Sequence, residues 1–397
     1  HRQAPPVLCA AAVDMTKALT ALAIGTFALG IAEFTMMGIL GDVAHSLDIS
    51  IVKAGHLISA YATGVAVGAP MLIFLRRWPL KRLLLLLATF IAVGNAAAAL
   101  SPGYATLLIA RFVSGLPHGA FFGAGAIVCS RLAGPGHGAA AVAVMVGGMT
   151  VANVVGVPAA TFVSTALSWR VAFAIVAFFG LAAYACIRAY VPYLDPVPDT
   201  GLKGQFKFLR SLGPWLIYIG VFFGQMSVYC YFSYVEPVMT EVTGFKLHDM
   251  TWIMVLAGAG MVLGNIAAGK LADRYGAANV SASIAVLIVV IMPTIYLCAS
   301  YKLPSLVLLF LATGCLFGIG GPLQYLIVRF AKGGEMLGGA GIQIAFNVSN
   351  AVAAVVGGIA IHHGLGLASP ALVGIPGAII AATALFYMSH RYKALAR

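Results

Sequence analysis

Long runs of apolar residues, separated by short polar segments, follow one another along almost the whole chain. The runs are continuous and do not alternate with polar residues, so they favour helices over the strands of a membrane barrel. A helix needs about 20 residues to cross the hydrocarbon core of a bilayer. Runs of that length lie approximately at 18–40, 54–75, 82–100, 104–130, 138–163, 170–191, 213–238, 250–270, 279–298, 304–329, 337–362 and 370–390. The pattern predicts an all-α integral membrane protein with twelve transmembrane helices.

The composition agrees with this prediction. Of the 397 residues, 61% are hydrophobic and 9% are charged, whereas a soluble domain carries about 25% charged residues. The six cysteines form no CxxC pair and stand mostly inside apolar runs, so they indicate neither a metal site nor a disulfide framework. We interpret residues 1–14, which precede a plausible start at Met15, as a tag or flexible N-terminal tail.

The positive charges are distributed unevenly among the segments that connect the apolar runs. If the N-terminus is cytoplasmic, 18 of the 23 Lys and Arg residues fall on the inner side, and the outer loops hold Lys53, Arg170, Lys246 and Lys302. By the positive-inside rule, this asymmetry predicts that both termini are cytoplasmic. It also explains the net charge of +12 without a nucleic-acid partner.

The longest polar stretch, 192–212, contains three prolines and separates the sixth run from the seventh. It predicts an N-terminal six-helix half at 15–192, a cytoplasmic linker at 193–212 and a C-terminal six-helix half at 213–397. Gly64 and Gly68 in GVAVGAP have an echo in Gly260 and Gly264 of GMVLGNI, each pair near the end of an even-numbered span. Small residues four apart also fit plain helix packing, but their shared position favours two repeats with a substrate site between them.

Two charged residues lie deep within the predicted spans. Glu33 stands seven residues before the end of the first span and Arg111 seven residues after the start of the fourth. At 1.5 Å per residue, both lie about 10 Å below the outer surface. An ionised side chain at that depth costs on the order of 2.5–3.5 kcal/mol, which predicts a wet cavity or a partner of opposite charge. We interpret the two as a proton-coupling pair; the alternative is a static ion pair that holds two helices together.

The other polar side chains within the spans are neutral and supply candidates for substrate binding. Gln343, Asn347 and Asn350 stand four and three residues apart, which places them on one face of a helix. His118, seven residues from Arg111, either joins a proton relay or bonds a neighbouring helix. Each of these residues would also fit interhelical bonding, which contributes only about 0.6 kcal/mol per pair. The substrate-binding candidates are His118, Asn153, Gln225, Tyr229, Gln324, Gln343 and Asn347.

Other functional classes lack support in the sequence. The chain has no HExxH or GxSxG motif, no pair of carboxylates within one span and no glycine-rich turn after a strand, which argues against an enzyme. It has no ATP-binding motif, so the energy for transport would come from an ion gradient. No segment is large enough for the soluble output domain of a sensor.

Several segments resemble a known family of transporters. GKLADRYG, from Gly269 to Gly276, resembles the loop signature of the major facilitator superfamily, and RFVSGLPHGAFFG, which begins at Arg111, is similar to its second signature. GTFALGIAEFTMMGIL, GNAAAAL and SWRVAFAIVA resemble the drug:proton antiporter family, especially its arabinose efflux permease-like branch. The resemblance extends from about Met15 to the C-terminus.

This resemblance implies alternating access, with efflux driven by inward proton flow and with Glu33 as the protonatable acid beside Arg111. It also implies a gating loop in which Asp273 contacts the N-terminus of a neighbouring helix. The gating residues would be Gly269, Asp273, Arg274 and Gly276, with Arg76 and Arg77 in the corresponding loop of the first half.

The sequence departs from the family pattern in three places. Arg77 stands in the register of Asp273, Val157 separates Gly156 from Pro158 in the fifth span, and Gly41 stands where relatives often have proline. The second departure weakens antiport in particular and leaves a proton symporter for uptake as the alternative. We expect a monomer in the bacterial cytoplasmic (inner) membrane that carries a small organic compound such as a drug, sugar or nucleoside. We expect no cofactor, with the proton gradient as the energy source.

Overall fold

A computed structural model of the chain describes residues 7–75, 77–133, 138–196, 202–332 and 335–393. Within these ranges the regular structure is helical throughout. Arg76, one of the predicted gating residues, lies outside the described residues. The domain boundaries after residues 14, 192 and 212 stay predictions.

Twelve long helices, α1 to α12, are described in chain order. The first six are α1 (Val7–Gly38), α2 (Ile51–Gly68), α3 (Leu80–Leu100), α4 (Tyr104–Gly115, continued by Pro117–Ala133), α5 (Gly138–Val151, a π-helical turn Ala152–Gly156 and Val157–Ala166) and α6 (Trp169–Tyr190). The second six are α7 (Leu212–Phe232), α8 (Met250–Tyr275), α9 (Ala277–Cys298), α10 (Lys302–Phe330), α11 (Glu335–His362) and α12 (Ile375–Arg391).

Short helical segments lie between the long ones. Leu40–Ser46 follows α1, Met71–Leu75 follows α2, and Pro370–Val373 precedes α12. After α7 come Val235–Pro237 and a π-helical turn, Val238–Val242, and a 3-10 turn, Leu247–Asp249, leads into α8. Leu202–Gln205 and Lys207–Arg210 lie in the connection between α6 and α7.

Length and composition make most of these helices able to cross a membrane. Eleven helical segments of the described chain are long and apolar enough to do so. The one long helix that is not among these eleven is α2, which has 18 residues and carries Lys53 and His56 in its first two turns. It nevertheless packs within the bundle against α4 and α11. The prediction of twelve transmembrane helices is confirmed.

The two halves of the chain repeat one packing scheme. In the first half, α1 packs on α5 and α6, α2 on α4, and α3 on α4 and α6. In the second half, α7 packs on α11 and α12, α8 on α10, and α9 on α10 and α12. Each pairing therefore recurs six helices later. The main contacts between the halves are α2 with α11 and α5 with α8. These two contacts are also equivalent, because α8 is the counterpart of α2 and α11 is the counterpart of α5.

The glycine echo lies at equivalent places in this repeat. A Cβ atom added at Gly64 would collide with the carbonyl oxygen of Phe112 in α4. One added at Gly260 would also come too close to the carbonyl oxygen of Phe310 in α10. In both halves, the absence of a side chain lets the backbones of two helices approach closely.

The bundle has two ends, which we name by their residues. The upper end carries Asp42 and Glu236, and the lower end carries Lys81, Arg188 and Asp273. In the upper part of the bundle, hydrogen bonds join the first half to the second. Ser59 of α2 donates a hydrogen bond of 2.8 Å to the carbonyl of Ala351 in α11, and the amide of Gly41 donates one to Glu236. The structure is therefore closed at its upper end.

Candidate functional site

Glu33 lies in α1 with 2% of its surface exposed. Its Oε2 atom is 3.8 Å from Nε2 of His118, while Oε1 has no hydrogen-bond partner among the described residues. A separation of 3.8 Å exceeds a direct hydrogen bond, so a proton crosses it through a small movement or a bridging water. A buried carboxyl oxygen without a partner is costly and marks a place where a proton, a water or a ligand would bind.

Arg111 is completely buried in α4. Its guanidinium donates a 2.6 Å hydrogen bond to the carbonyl of Ala32, the residue before Glu33, and a 3.4 Å bond to the carbonyl of Leu57 in α2. The guanidinium carbon also lies 4.5 Å from the centre of the Tyr61 ring, a favourable cation–π contact. The charges of Arg111 and Glu33 interact electrostatically. The structure thus brings the predicted pair together, with backbone carbonyls rather than the carboxylate as the hydrogen-bond acceptors of Arg111.

His118 and Tyr61 complete this charged cluster. His118 Nδ1 lies 2.9 Å from the Tyr61 hydroxyl oxygen, which in turn is 3.4 Å from the carbonyl of Leu29. When the tyrosine donates to Nδ1, Nε2 carries the ring proton and faces Glu33. When Nδ1 donates to the tyrosine and the tyrosine donates to Leu29, Nε2 is free to accept a proton. The two arrangements differ only in where protons sit, which is the property of a relay.

The sequence analysis missed Tyr61, although a signal existed. Tyr61 stands three residues before Gly64 and seven before Gly68, so it shares the helix face that packs on α4. Arg111 and His118, seven residues apart, lie on the α4 face that meets it. A tyrosine on the glycine face of α2 could therefore have been placed next to the buried charges.

The second half contributes buried polar groups without charge. Gln225 donates a 3.2 Å hydrogen bond to the carbonyl of Leu316, and Asn347 donates a 2.9 Å bond to the carbonyl of Gln343. The side-chain oxygens of Gln225, Asn347, Asn350 and Tyr229 have no partner within the described chain. Buried polar atoms are normally paired, so this group indicates a place where water or a polar ligand binds.

Aromatic rings connect the charged and neutral groups. Phe34, the residue after Glu33, has its ring centre 5.8 Å from that of Phe317 in α10. Phe317 lies 6.3 Å from Phe346 of α11, which lies 5.5 Å from Tyr229. The charge of Glu33 also interacts electrostatically with Tyr229. The three phenylalanines stand in apolar runs, where nothing in the sequence distinguishes them from lipid-facing residues.

The remaining substrate-binding candidates are less closely connected. Asn153 lies buried in the π-helical turn of α5, with its Oδ1 unpaired in the described chain, and its backbone carbonyl packs against Gly258 of α8. Gln324 and Gln343 are half-buried. None of the described hydrogen bonds or ring contacts joins the Gln324 side chain to the central group.

The predicted gating loop lies open at the lower end. Gly276 has a φ of 89°, a left-handed conformation that favours glycine, and it ends α8. Gly269, Asp273 and Arg274 are exposed, and so is Arg77 in the loop of the first half. Among the described residues, no hydrogen bond joins Asp273 to the N-terminus of another helix. The gating role of this loop stays a prediction for a conformation closed at the lower end.

Comparisons with known proteins agree on one family. The family model described as "Major Facilitator Superfamily" matches residues 22–218 and 217–396. AraJ of Escherichia coli strain K12 is 45% identical over 96% of this chain and 96% of its own length. The chloramphenicol resistance protein of Streptomyces lividans is 30% identical over 90% of this chain and 92% of its own.

A solved structure has the same fold. A bacterial homologue of the human lysosomal transporter Spinster, in an inward-facing and occupied conformation, superposes with a TM-score of 0.75. The alignment covers 96% of this chain and 97% of the homologue at 14% sequence identity.

Proposed function

The chain belongs to the major facilitator superfamily and is a secondary transporter, and we propose that it exports a small organic compound in exchange for protons. The observation that carries this proposal is the buried cluster of Glu33, Arg111, His118 and Tyr61. One carboxyl oxygen of Glu33 is unpaired within the described chain, and the other faces the ring nitrogen of a histidine. A buried acid with an unpaired oxygen, beside a histidine and within a membrane span, is typical of a site that binds and releases a proton.

The exchange follows from linkage between two ligands. A proton on Glu33 removes the negative charge that interacts with Arg111 and with Tyr229. Tyr229 of α7 contacts the ring of Phe346 in α11, the residue before Asn347, whose amide oxygen is unpaired in the described chain, and we place the substrate there. If the proton and the substrate each weaken binding of the other, the inward movement of one drives the outward movement of the other. The name of the relative from Streptomyces lividans links it to chloramphenicol resistance, which supports export of an organic compound.

The same reasoning supports an orientation and a location. The lower end carries the cationic residues Lys81, Arg188, Lys270 and Arg274, so by the positive-inside rule it faces the cytoplasm. We place the protein in the inner membrane of a bacterium. Both termini are then cytoplasmic, and the closed upper end faces outward. The proton gradient supplies the energy, and no cofactor is needed. One chain contains both halves of the site, so the protein works as a monomer.

The proposal is tested by the sign of proton movement. The purified protein is reconstituted into liposomes that contain a pH-sensitive dye, at equal pH on both sides and without a membrane potential. Candidate compounds are then added outside. A compound that enters down its gradient through an antiporter expels protons, so the lumen becomes alkaline whichever way the protein is inserted. Protein-free liposomes are the control.

Two results would reject the exchange mechanism. Acidification of the lumen would show that protons enter together with the compound. The protein would then be a symporter, the alternative suggested by the departure of the fifth span from the antiporter pattern. Entry of a compound that saturates with concentration but moves no protons would show an uncoupled carrier.

A further inference from the structure

A second deeply buried acid lies at the upper end, apart from the central cluster. Glu236 belongs to Val235–Pro237, beyond the span Leu212–Phe232, and only 3% of its surface is exposed. Among the described residues, no cationic side chain forms an ion pair with its carboxylate. An isolated buried carboxylate is strongly disfavoured, and such a group normally becomes neutral by binding a proton.

The carboxyl group of Glu236 connects the two halves of the protein. Its Oε2 atom accepts a hydrogen bond from the backbone amide of Gly41, which follows α1 in the first half. Its Oε1 atom lies 3.4 Å from the hydroxyl of Thr240, one turn further along its own segment. A Cβ atom at Gly41 would collide with the carboxylate, so the side chain of Glu236 would have to move away from this amide to make room for it.

The charged groups that face Glu236 are negative. Asp42 approaches from Leu40–Ser46, and Glu241 from the turn Val238–Val242. Asp42 itself accepts a 3.4 Å hydrogen bond from Ser164 of α5 and interacts with His45. Burial raises the pKa of Glu236 from 4.5 to about 7, against the opposing effect of the Gly41 hydrogen bond. The charges of Asp42 and Glu241 add to the rise.

We propose that Glu236 is a second proton-binding site of this transporter, at which a bound proton holds the upper end closed and its release accompanies opening. The neutral acid keeps both contacts, because Oε2 still accepts the Gly41 amide and a proton on Oε1 is donated to Thr240. The inference rests on the proposed function only in treating the closed upper end as one of two alternating states.

The sign of the effect follows from linkage. When the halves part, water reaches the carboxyl group and its pKa returns toward 4.5, whereas in the closed state it is about 7. The closed state therefore binds the proton more tightly, and the proton favours closure. The preference for closure is fully present below about pH 4.5 and is lost as the pH rises through about 7.

The experiment measures the opening of the upper end directly. Spin labels are placed at Leu167 and Leu365, exposed leucines of the two halves at that end, in a protein whose native cysteines have been replaced. Distance distributions are recorded in lipid nanodiscs between pH 4.5 and 8.5. We expect the ratio of closed to open molecules to fall at least about tenfold across this range, since one unit of pKa corresponds to a factor of ten. The change should occur between about pH 4.5 and 7.

Three variants separate this role from a general effect of pH. Glu236→Gln is neutral at every pH and keeps the same shape, so it should stay closed throughout. Asp48→Asn changes an exposed acid of the same end whose charge is not among those that raise the pKa of Glu236, so it should keep the midpoint of the parent. Gly41→Ala should shift the distribution toward open at every pH, because its Cβ would meet the carboxylate.

A parent protein without a pH-dependent distance, or a Glu236→Gln variant with the same midpoint as the parent, would overturn the inference. The Glu33→Gln variant distinguishes such a failure from failure of the proposed function. If Glu33→Gln loses export while Glu236→Gln keeps the pH profile of the parent, only the inference fails. If Glu33→Gln still exports uphill while the Glu236 profile behaves as expected, the proposed function fails and the second site stands.

Discussion

The two halves of this protein are alike in packing and unlike in chemistry. The main helix contacts within the first half recur six helices later in the second. The buried polar residues at the centre of the bundle do not recur. There the first half buries Glu33, Arg111 and His118, whereas the second buries the neutral groups of Gln225 and Asn347, and its buried acid Glu236 lies at the upper end.

One pair of positions shows the difference directly. The carbonyl of Phe112 meets Gly64 and the carbonyl of Phe310 meets Gly260, so the residues before them are structural counterparts. These residues are Arg111 and Leu309, and both are completely buried. The repeat therefore supplies the scaffold and the close helix contacts, while at this pair of positions only the first half carries a charge.

The largest expected effect comes from removing the acid of the charged half. Glu33→Gln preserves shape but binds no proton, so uphill export should fall by about 100-fold or more while the fold is retained. Substrate accumulation driven by a pH gradient in liposomes, together with the melting temperature, measures both expectations. Export by Glu33→Gln equal to that of the parent would show that the charged half does not couple protons.

A smaller effect on export is expected when Arg111 is replaced by leucine, the residue at its counterpart Leu309. Arg111→Leu leaves Glu33 without a cation and the carbonyls of Ala32 and Leu57 without their donor. Removing one member of a buried charged group costs about 3 kcal/mol, so the melting temperature should fall, and export should be reduced less than in Glu33→Gln. Leu309→Met, a volume-conserving change at the counterpart, should cost less than about 1.5 kcal/mol. Equal losses at the two positions would contradict the division between the halves.

The smallest effect is expected from the neutral central groups of the second half. Asn347→Ala removes a polar group that we place at the substrate, so KM should rise about fivefold, close to the worth of one hydrogen bond, with the proton-to-substrate ratio unchanged. Asn95 of α3 is a matched control, because it is equally buried, bonds the carbonyl four residues earlier and also has an unpaired Oδ1 in the described chain. Asn95→Ala should leave KM unchanged. A change in stoichiometry from Asn347→Ala would place coupling in both halves.

The apolar pattern predicted the helices better than their interruptions. The seventh span was expected at 213–238, but α7 ends at Phe232, and Glu236 lies in a separate segment after a turn at Ser233 and Tyr234. The π-helical turn of α5 and the break of α4 before Pro117 also lie inside runs that look continuous. Hydropathy reports which environment a residue prefers, and it contains little information on local backbone geometry.

The sequence predicted the buried charges of the candidate site but not the groups that they contact. Glu33 and Arg111 stood out because an ion in an apolar run is costly wherever its neighbours lie. Their hydrogen-bond partners did not stand out, since the Ala32 carbonyl and the ring nitrogen of His118 become partners only when α1, α2 and α4 pack together. The roles of these residues in proton coupling and substrate binding stay predictions.

The sequence by itself determined the membrane-spanning helices, the repeat of two halves and the depth of two charges, because burial cost and helix length are properties of each segment alone. Only the tertiary structure decided that Arg111 bonds backbone carbonyls, that Tyr61 joins His118, and that Glu236 meets Gly41 across the halves. Such contacts depend on which helix faces meet. That is settled by the packing of the whole bundle, where residues far apart in the chain become neighbours.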